Sequence, residues 1–313
     1  IEGHESLSIF NQNNSPMKFK VVLSLTLVVC SFLRMHAQER ALNKALSNSP
    51  IAYAIYDESG KLSSWNRLIE KVKIADVVLF GEFHDDPIVH WLQHELIRDL
   101  LDDGLRPVLG AEMLETDDQL VVDEFLEGII NDEKLESSAT LWPNHFTDYH
   151  PLLLEAREHG LPFIATNIPR RYASLVYQSG LDALGELSAE AKRLFPPLPV
   201  PFDISLPGYK AMLSMGGSHS LETFPMAQAI RDATMAHFIS NNLNEEGPFI
   251  HFNGAYHSQD REGIVWYLQN SDPNLKILTI HSHMQAEVFP PDTNAVGRAT
   301  FLLITNERMT RTH

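Results

Sequence analysis

Six short runs, apolar at almost every position, recur along the chain. They are Asp76 to Glu82, Pro107 to Glu112, Pro162 to Asn167, Pro248 to Asn253, Lys276 to His281 and Ala299 to Ile304. A strand with one wet face alternates apolar and polar residues, and these runs do not. Unbroken runs are the mark of parallel strands covered on both faces by helices. Between them, Ile88 to Leu101, Thr116 to Leu126, Tyr149 to His159 and Arg261 to Gln269 carry apolar residues at helical spacing. Gly104 and Gly160 fall where helix stops belong. The alternation predicts an α/β fold, a parallel-rich β-sheet flanked by helices and joined by right-handed crossovers. From about 170 to 245 no strand pattern occurs, and Pro196-Pro197-Leu198-Pro199-Val200-Pro201 forms a turn-rich connector. This interval is expected to be a helical insertion or small helical subdomain.

The ends of the runs carry the chemistry. The first closes on Glu82, the second on Glu112, the third on Asn167 and the fourth on Asn253. Open parallel sheets place ligand crevices outside the C-terminal ends of their strands, so these groups are expected to line a pocket. Gly81-Glu82-Phe83-His84 and Gly254-Ala255-Tyr256-His257 repeat one Gly-x-x-His pattern at two strand ends. Two imidazoles and two carboxylates brought together could coordinate a metal or perform acid–base chemistry. The competing reading gives these groups local work, capping helices and bonding loop backbone. Asp85 and Asp86 are expected to cap the next helix, with Pro87 in its first turn.

Composition limits the classes of function. The 313 residues are 44% hydrophobic and 21% charged, which is ordinary for a globular domain. A formal net charge of -17 argues against nucleic acid, whose phosphates need a basic footprint. Met17-Lys18-Phe19-Lys20 followed by the apolar stretch Val21 to Leu33 predicts a secretory signal peptide. Residues 1–37 are therefore assigned to an upstream extension plus signal peptide, and 38–313 to a single domain of an exported protein. The sole cysteine, Cys30, lies inside that leader. Leu27-Val28-Val29-Cys30 loosely resembles a lipoprotein box. Val29 is larger than the small residue that precedes a lipidated cysteine, so cleavage is favoured over a lipid anchor.

An ordered set of motifs then acquires a relative. Gly81-Glu82-Phe83-His84-Asp85, Gly110-Ala111-Glu112-Met113, Tyr149-His150-Pro151-Leu152, Asn167-Ile168-Pro169-Arg170, Gln228 to Ala236 and Gly254-Ala255-Tyr256-His257 together resemble the ChaN-like haem-binding lipoproteins. The wider relatives of that family include Tiki-type metalloproteases and erythromycin-esterase-like hydrolases. The resemblance implies an exported haem-binding protein connected with iron uptake, a homodimer, and contact with outer-membrane uptake machinery.

Two uses of the crevice stay open. In the first, haem is held noncovalently, with Tyr149 or Tyr172 as axial ligand and Arg170 and Arg171 pairing with propionates. Met215 and His219, in the helical insertion, are further candidate contacts. Glu82, His84, Glu112, Asn167, Asn253 and His257 then organise the pocket. In the second, His84, His257 and Glu112 bind a divalent metal and the remaining glutamate activates water, as in a metal-dependent hydrolase. His90 and His94 share a helix face but lack a zincin signature, and are assigned to the helix surface or to partner contacts. His251 and His281 are expected in the core.

Overall fold

The computed structural model describes residues 50–215 and 222–312. Seven strands form one sheet: β1 (Tyr53–Asp57), β2 (Val77–Glu82), β3 (Val108–Glu115), β4 (Phe163–Asn167), β5 (Phe249–Gly254), β6 (Ile277–Gln285) and β7 (Phe301–Asn306). Their order is β1-β7-β6-β2-β5-β3-β4, and every pairing is parallel except β1 with β7. The α/β class and parallel-rich sheet expected from the unbroken apolar runs are observed. β1 was not anticipated. It carries only the short run Tyr53-Ala54-Ile55-Tyr56, and it is held by antiparallel pairing to the end of the chain.

Nine α-helices are seen among the described residues: α1 (Trp65–Val72), α2 (Pro87–Asp102), α3 (Gln119–Leu126), α4 (Asp132–Ser138), α5 (His150–His159), α6 (Arg170–Ser179), α7 (Pro207–Met215), α8 (Thr223–Asn241) and α9 (Ile264–Ser271). Alternate residues of β2 divide between two cores. Val78 and Phe80 pack with α1, α2, α3 and α5, while Val77 and Leu79 pack with α6, α8 and α9. The described part of the segment between β4 and β5 holds helices and no strand, with an irregular stretch at 195–206, and its α6 and α8 cover one face of the sheet.

Local sequence sets the helix ends. Asp86 caps α2 by accepting from the backbone N–H groups of Ile88 (3.0 Å) and Val89 (3.2 Å), worth about 1 kcal/mol. Asp85 does not share that work. Its carboxylate meets the Arg311 guanidinium at 2.5 Å, tying the C-terminal segment to the β2–α2 turn. Gly160 ends α5 at φ +62°, a backbone region that side chains resist.

The sheet order decides the site. β2, β5, β3 and β4 are neighbours running the same way, so their C-terminal ends form one rim. The connection from β2 leads across β5 to β3, whereas that from β5 leads back across β2 to β6. Chains that depart in opposite directions leave a crevice between β2 and β5.

Candidate functional site

Glu82 ends β2 with its carboxylate buried and fully engaged. Its Oε1 accepts from Nδ1 of His84 (2.9 Å) and from the Tyr149 hydroxyl (2.7 Å), and its Oε2 accepts from the Gln93 amide (2.5 Å). His90 lies 3.5 Å from Glu82 Oε1 and 3.4 Å from Asp148 Oδ1. Burial alone would raise the Glu82 pKa, but His84 and His90 outweigh it and lower it to about 2.

Glu112 reaches the same rim from β3. Its Oε2 accepts from the Gly254 N–H at 2.7 Å, and its Oε1 faces His257 Nε2 at 3.1 Å. The other ring nitrogen, Nδ1, lies 2.5 Å from Asp232 Oδ1 on α8. Carboxylates facing both nitrogens favour a proton on each, so the imidazolium is the favoured form of His257, although burial also raises the pKa of its partner Asp232. Burial works against that charge, yet Glu112 and Asp232 prevail and push the pKa up to about 10. Tyr209 of α7 donates to the second oxygen of Asp232 (2.7 Å), and the Gln228 amide lies against the ring, 2.9 Å from Nδ1.

The two halves meet at Gly254. A Cβ placed there would lie 2.8 Å from His84 Nε2 and 3.5 Å from Glu112 Oε2, so only glycine lets the imidazole approach the β5 backbone. Glu82, His84, Glu112 and His257 are thus gathered at one rim although 175 residue numbers separate Glu82 from His257. His84 keeps about a third of its side chain exposed, and its ring meets Trp142 edge-on at 4.8 Å. With Nδ1 committed to Glu82, Nε2 is the nitrogen left for a ligand, an orientation that carboxylate–histidine–metal arrangements use. Burial opposes protonation of His84, but the Glu82 hydrogen bond and the nearby Glu112 charge raise its pKa.

The other residues expected at the site are placed as follows. Tyr149 is buried, its hydroxyl turned to Glu82, and burial together with the Glu82 charge drives its pKa far above the usual phenol range. Tyr172 is half-buried against Phe195, with the Arg171 guanidinium 4.5 Å above its ring. Arg171 is occupied by Asp117 at 2.6 Å, while Arg170 is exposed. Asn167 donates to the Glu112 carbonyl (2.9 Å) and accepts from Arg231 (3.3 Å). Asn253 turns inward, donating to the Gly254 carbonyl and to Ser258, and so braces the turn that carries His257. Gly81 and Gly110 serve packing: a Cβ would meet Ala255 Cα at 3.0 Å in the first case and the Phe249 ring at 2.7 Å in the second. Met215 ends α7, and His219, Cys30 and the leader lie outside the described residues.

One expectation needs correction. His90 is not a surface residue. It is buried between Glu82, Asp148 and the Tyr149 ring, where it supports the Glu82 carboxylate. The proposed metal set of His84, His257 and Glu112 meets a physical obstacle, because both nitrogens of His257 already face carboxylates. Among the described residues no group of three His, Cys, Asp or Glu side chains is arranged to hold a metal.

Sequence reasoning missed Asp232, Gln228 and Arg231. Their signal was present. Gln228, Arg231 and Asp232 stand at i, i+3 and i+4, one polar stripe among the apolar positions in the middle of the helix, and α8 turns that stripe to the rim.

Comparison with known proteins agrees with the fold and assigns the family. A family model described as haem-binding uptake, Tiki superfamily, ChaN, matches residues 68–268. The chain belongs to this family. ChaN of Campylobacter jejuni, whose structure is described as cofacial haem binding, superposes with a TM-score of 0.61 and 17% identity. The match covers 81% of this chain and 97% of that one, a likeness of fold. The chloroplastic protein RETICULATA-RELATED 5 of Arabidopsis thaliana is 27% identical over 174 residues, 52% of this chain and 22% of that protein. The present ChaN-family chain therefore spans about a fifth of the length of that curated relative. An erythromycin esterase, EreC, matches with 14% identity and a TM-score of 0.44, covering 82% of this chain and 83% of that one. That match is too loose to bear on activity.

Proposed function

We propose that the protein is an exported haem-binding protein that holds its ligand noncovalently at the rim of β2, β5, β3 and β4, with a role in haem or iron uptake. The observation that carries this reading is membership of the ChaN haem-binding uptake family across residues 68–268. The residues of the rim fit such a group. Haem needs an axial donor, and His84 offers Nε2 for that role once its proton is released, with the ring oriented through Nδ1 by Glu82. Tyr149 does not suit that role, because its phenol is buried and held protonated over Glu82. It acts instead as a strut that fixes the Glu82–His84 pair. Trp142 offers an apolar wall beside the imidazole. Bound haem would supply an iron centre for storage or transfer, and the chain's part is to bind, orient and shield it. Export rests on the leader pattern of residues 17–37. Partnership with outer-membrane machinery and pairing of two chains rest on the family resemblance.

A second reading is supported by the Asp232–His257–Glu112 chain. A buried imidazolium beside a second, more exposed imidazole, His84, is an arrangement suited to hydrolysis, one group donating a proton and the other accepting. A metal-dependent version would require His257 to give up one of its carboxylates. Titration with haemin, followed by absorption, separates the readings. A saturable Soret change that survives Glu82→Gln in weakened form supports binding. Absence of any Soret change, together with ester or amide hydrolysis abolished by Glu82→Gln, supports the second reading.

A further inference from the structure

Arg231 stands on α8 between Gln228 and Asp232, the two residues of that helix that touch His257. It is half-buried, and a guanidinium stays charged even so. Of its five donors, the hydrogen bond found is the one to Asn167 Oδ1 at 3.3 Å. The arginine ion pairs among the described residues involve Arg98, Arg106, Arg171, Arg261, Arg308 and Arg311, and neither Arg231 nor Arg170. The charges of Glu112, Glu115 and Asp232 act on Arg231, but none of the three is within ion-pair distance of it among the described residues. Glu112 is taken up by His257 and the Gly254 N–H, and Glu115, beyond ion-pair reach, has its pKa raised by burial. Burial depresses the pKa of Arg231 against the pull of the Glu112, Glu115 and Asp232 charges, and the Arg170 charge adds to the depression. Arg170 opens α6, whose N-terminal turn has no side-chain cap. Arg170, exposed at the start of α6, stands near enough for its charge to act on Arg231, and an anion between the two would relieve that repulsion.

We propose that Arg231 and Arg170 form an anion cradle at the crevice rim, built to take a carboxylate of the ligand. Asn167 aims Arg231 by accepting from one arm of its fork, which leaves the other donors for a bidentate contact. The carboxylate class rests on the haem-binding reading, since haem carries two propionates on an apolar ring. The cradle itself rests on the Arg231–Asn167 contact and on the place of Arg170 at the start of α6, just after β4. Arg171 has no share in it, being paired with Asp117 and stacked on Tyr172.

The test compares haemin with haemin dimethyl ester on the full chain and on Arg231→Gln, Arg231→Lys and Arg170→Gln. The wild type is expected to prefer the free acid by about tenfold, the scale of one good charge-assisted contact. That preference should fall to about one in Arg231→Gln and be partly kept in Arg231→Lys, with unchanged thermal unfolding certifying the fold. A wild-type preference preserved in Arg231→Gln overturns the cradle and leaves haem binding standing. In parallel, succinate and pyrophosphate are titrated while the Arg231 Nε–Hε resonance, assigned by its loss in Arg231→Lys, is followed by NMR. A saturable shift with succinate that Arg170→Gln weakens supports the cradle even if haemin fails to bind, in which case only the haem reading falls. A shift with pyrophosphate alone refutes the carboxylate class, and no shift with either refutes the cradle.

Discussion

The Asp232 carboxylate lies 2.5 Å from Nδ1 of His257, while Glu112 stands 3.1 Å from Nε2. An imidazole so enclosed cannot be neutral without turning a lone pair toward an anion. The charge on His257 is therefore a property of the fold, and it binds β3, the turn after β5, and α8 into one unit.

That unit makes stability depend on pH in a stated direction. His257 is raised from 6.5 to about 10, so its contribution is full below pH 6.5 and is lost as pH rises through 10. Chemical denaturation at pH 6 and pH 10 should show the wild type weaker at the higher value. Asp232→Ala should cost about 3–5 kcal/mol at pH 6, the penalty for leaving a buried ion without its partner, and should flatten the loss between the two pH values. A wild-type stability unchanged over that window contradicts the imidazolium.

Glu82 predicts the opposite slope at the acid end. Its pKa falls from 4.5 to about 2, so its stabilisation is present above pH 4.5 and disappears as pH falls through 2. Glu82→Gln should unfold with less dependence on pH across that interval in an acid titration followed by circular dichroism. An unaltered acid transition would place the wild-type sensitivity elsewhere.

Tyr149→Phe removes the 2.7 Å hydrogen bond to Glu82 and nothing else of consequence. Expected is a loss of about 1–2 kcal/mol in urea unfolding, with the haemin Soret band kept at its wild-type position. A band abolished by this substitution would restore Tyr149 as the axial ligand.

Gly254→Ala tests the junction between the two halves of the rim. The backbone there is ordinary, with φ -55°, so the alanine is tolerated by the main chain. Its Cβ would stand 2.8 Å from His84 Nε2 and must displace the ring. Thermal unfolding should change little, whereas haemin affinity should fall tenfold or more. Wild-type affinity in this variant would remove His84 from the binding role.

Much of this was legible in the sequence because the relevant signals are local. Unbroken apolar runs disclose strands covered on both faces, and the groups that end those runs disclose the rim. Glu82, Glu112 and His257 could be placed together for that reason. β1 was hidden because a five-residue edge strand owes its existence to pairing with β7, a contact no local pattern records. His90 deceived by spacing: four residues before His94 on one helix suggests a surface pair, yet the helix rotates His90 under Glu82. Asp232 was masked by its surroundings, since one acid in an apolar helix looks like surface until α8 is seen packed on the sheet. Tyr149 was expected to face a ligand, whereas its hydroxyl turns inward to Glu82 from a turn of π-helix at His145–Tyr149 that composition does not reveal.

The most direct measurement is an absorption titration of the full chain with haemin, run beside His84→Ala. The account predicts one saturable Soret transition in the wild type, absent or strongly shifted in His84→Ala and retained in Tyr149→Phe. A wild type that gives no transition, or one that His84→Ala leaves untouched, contradicts it.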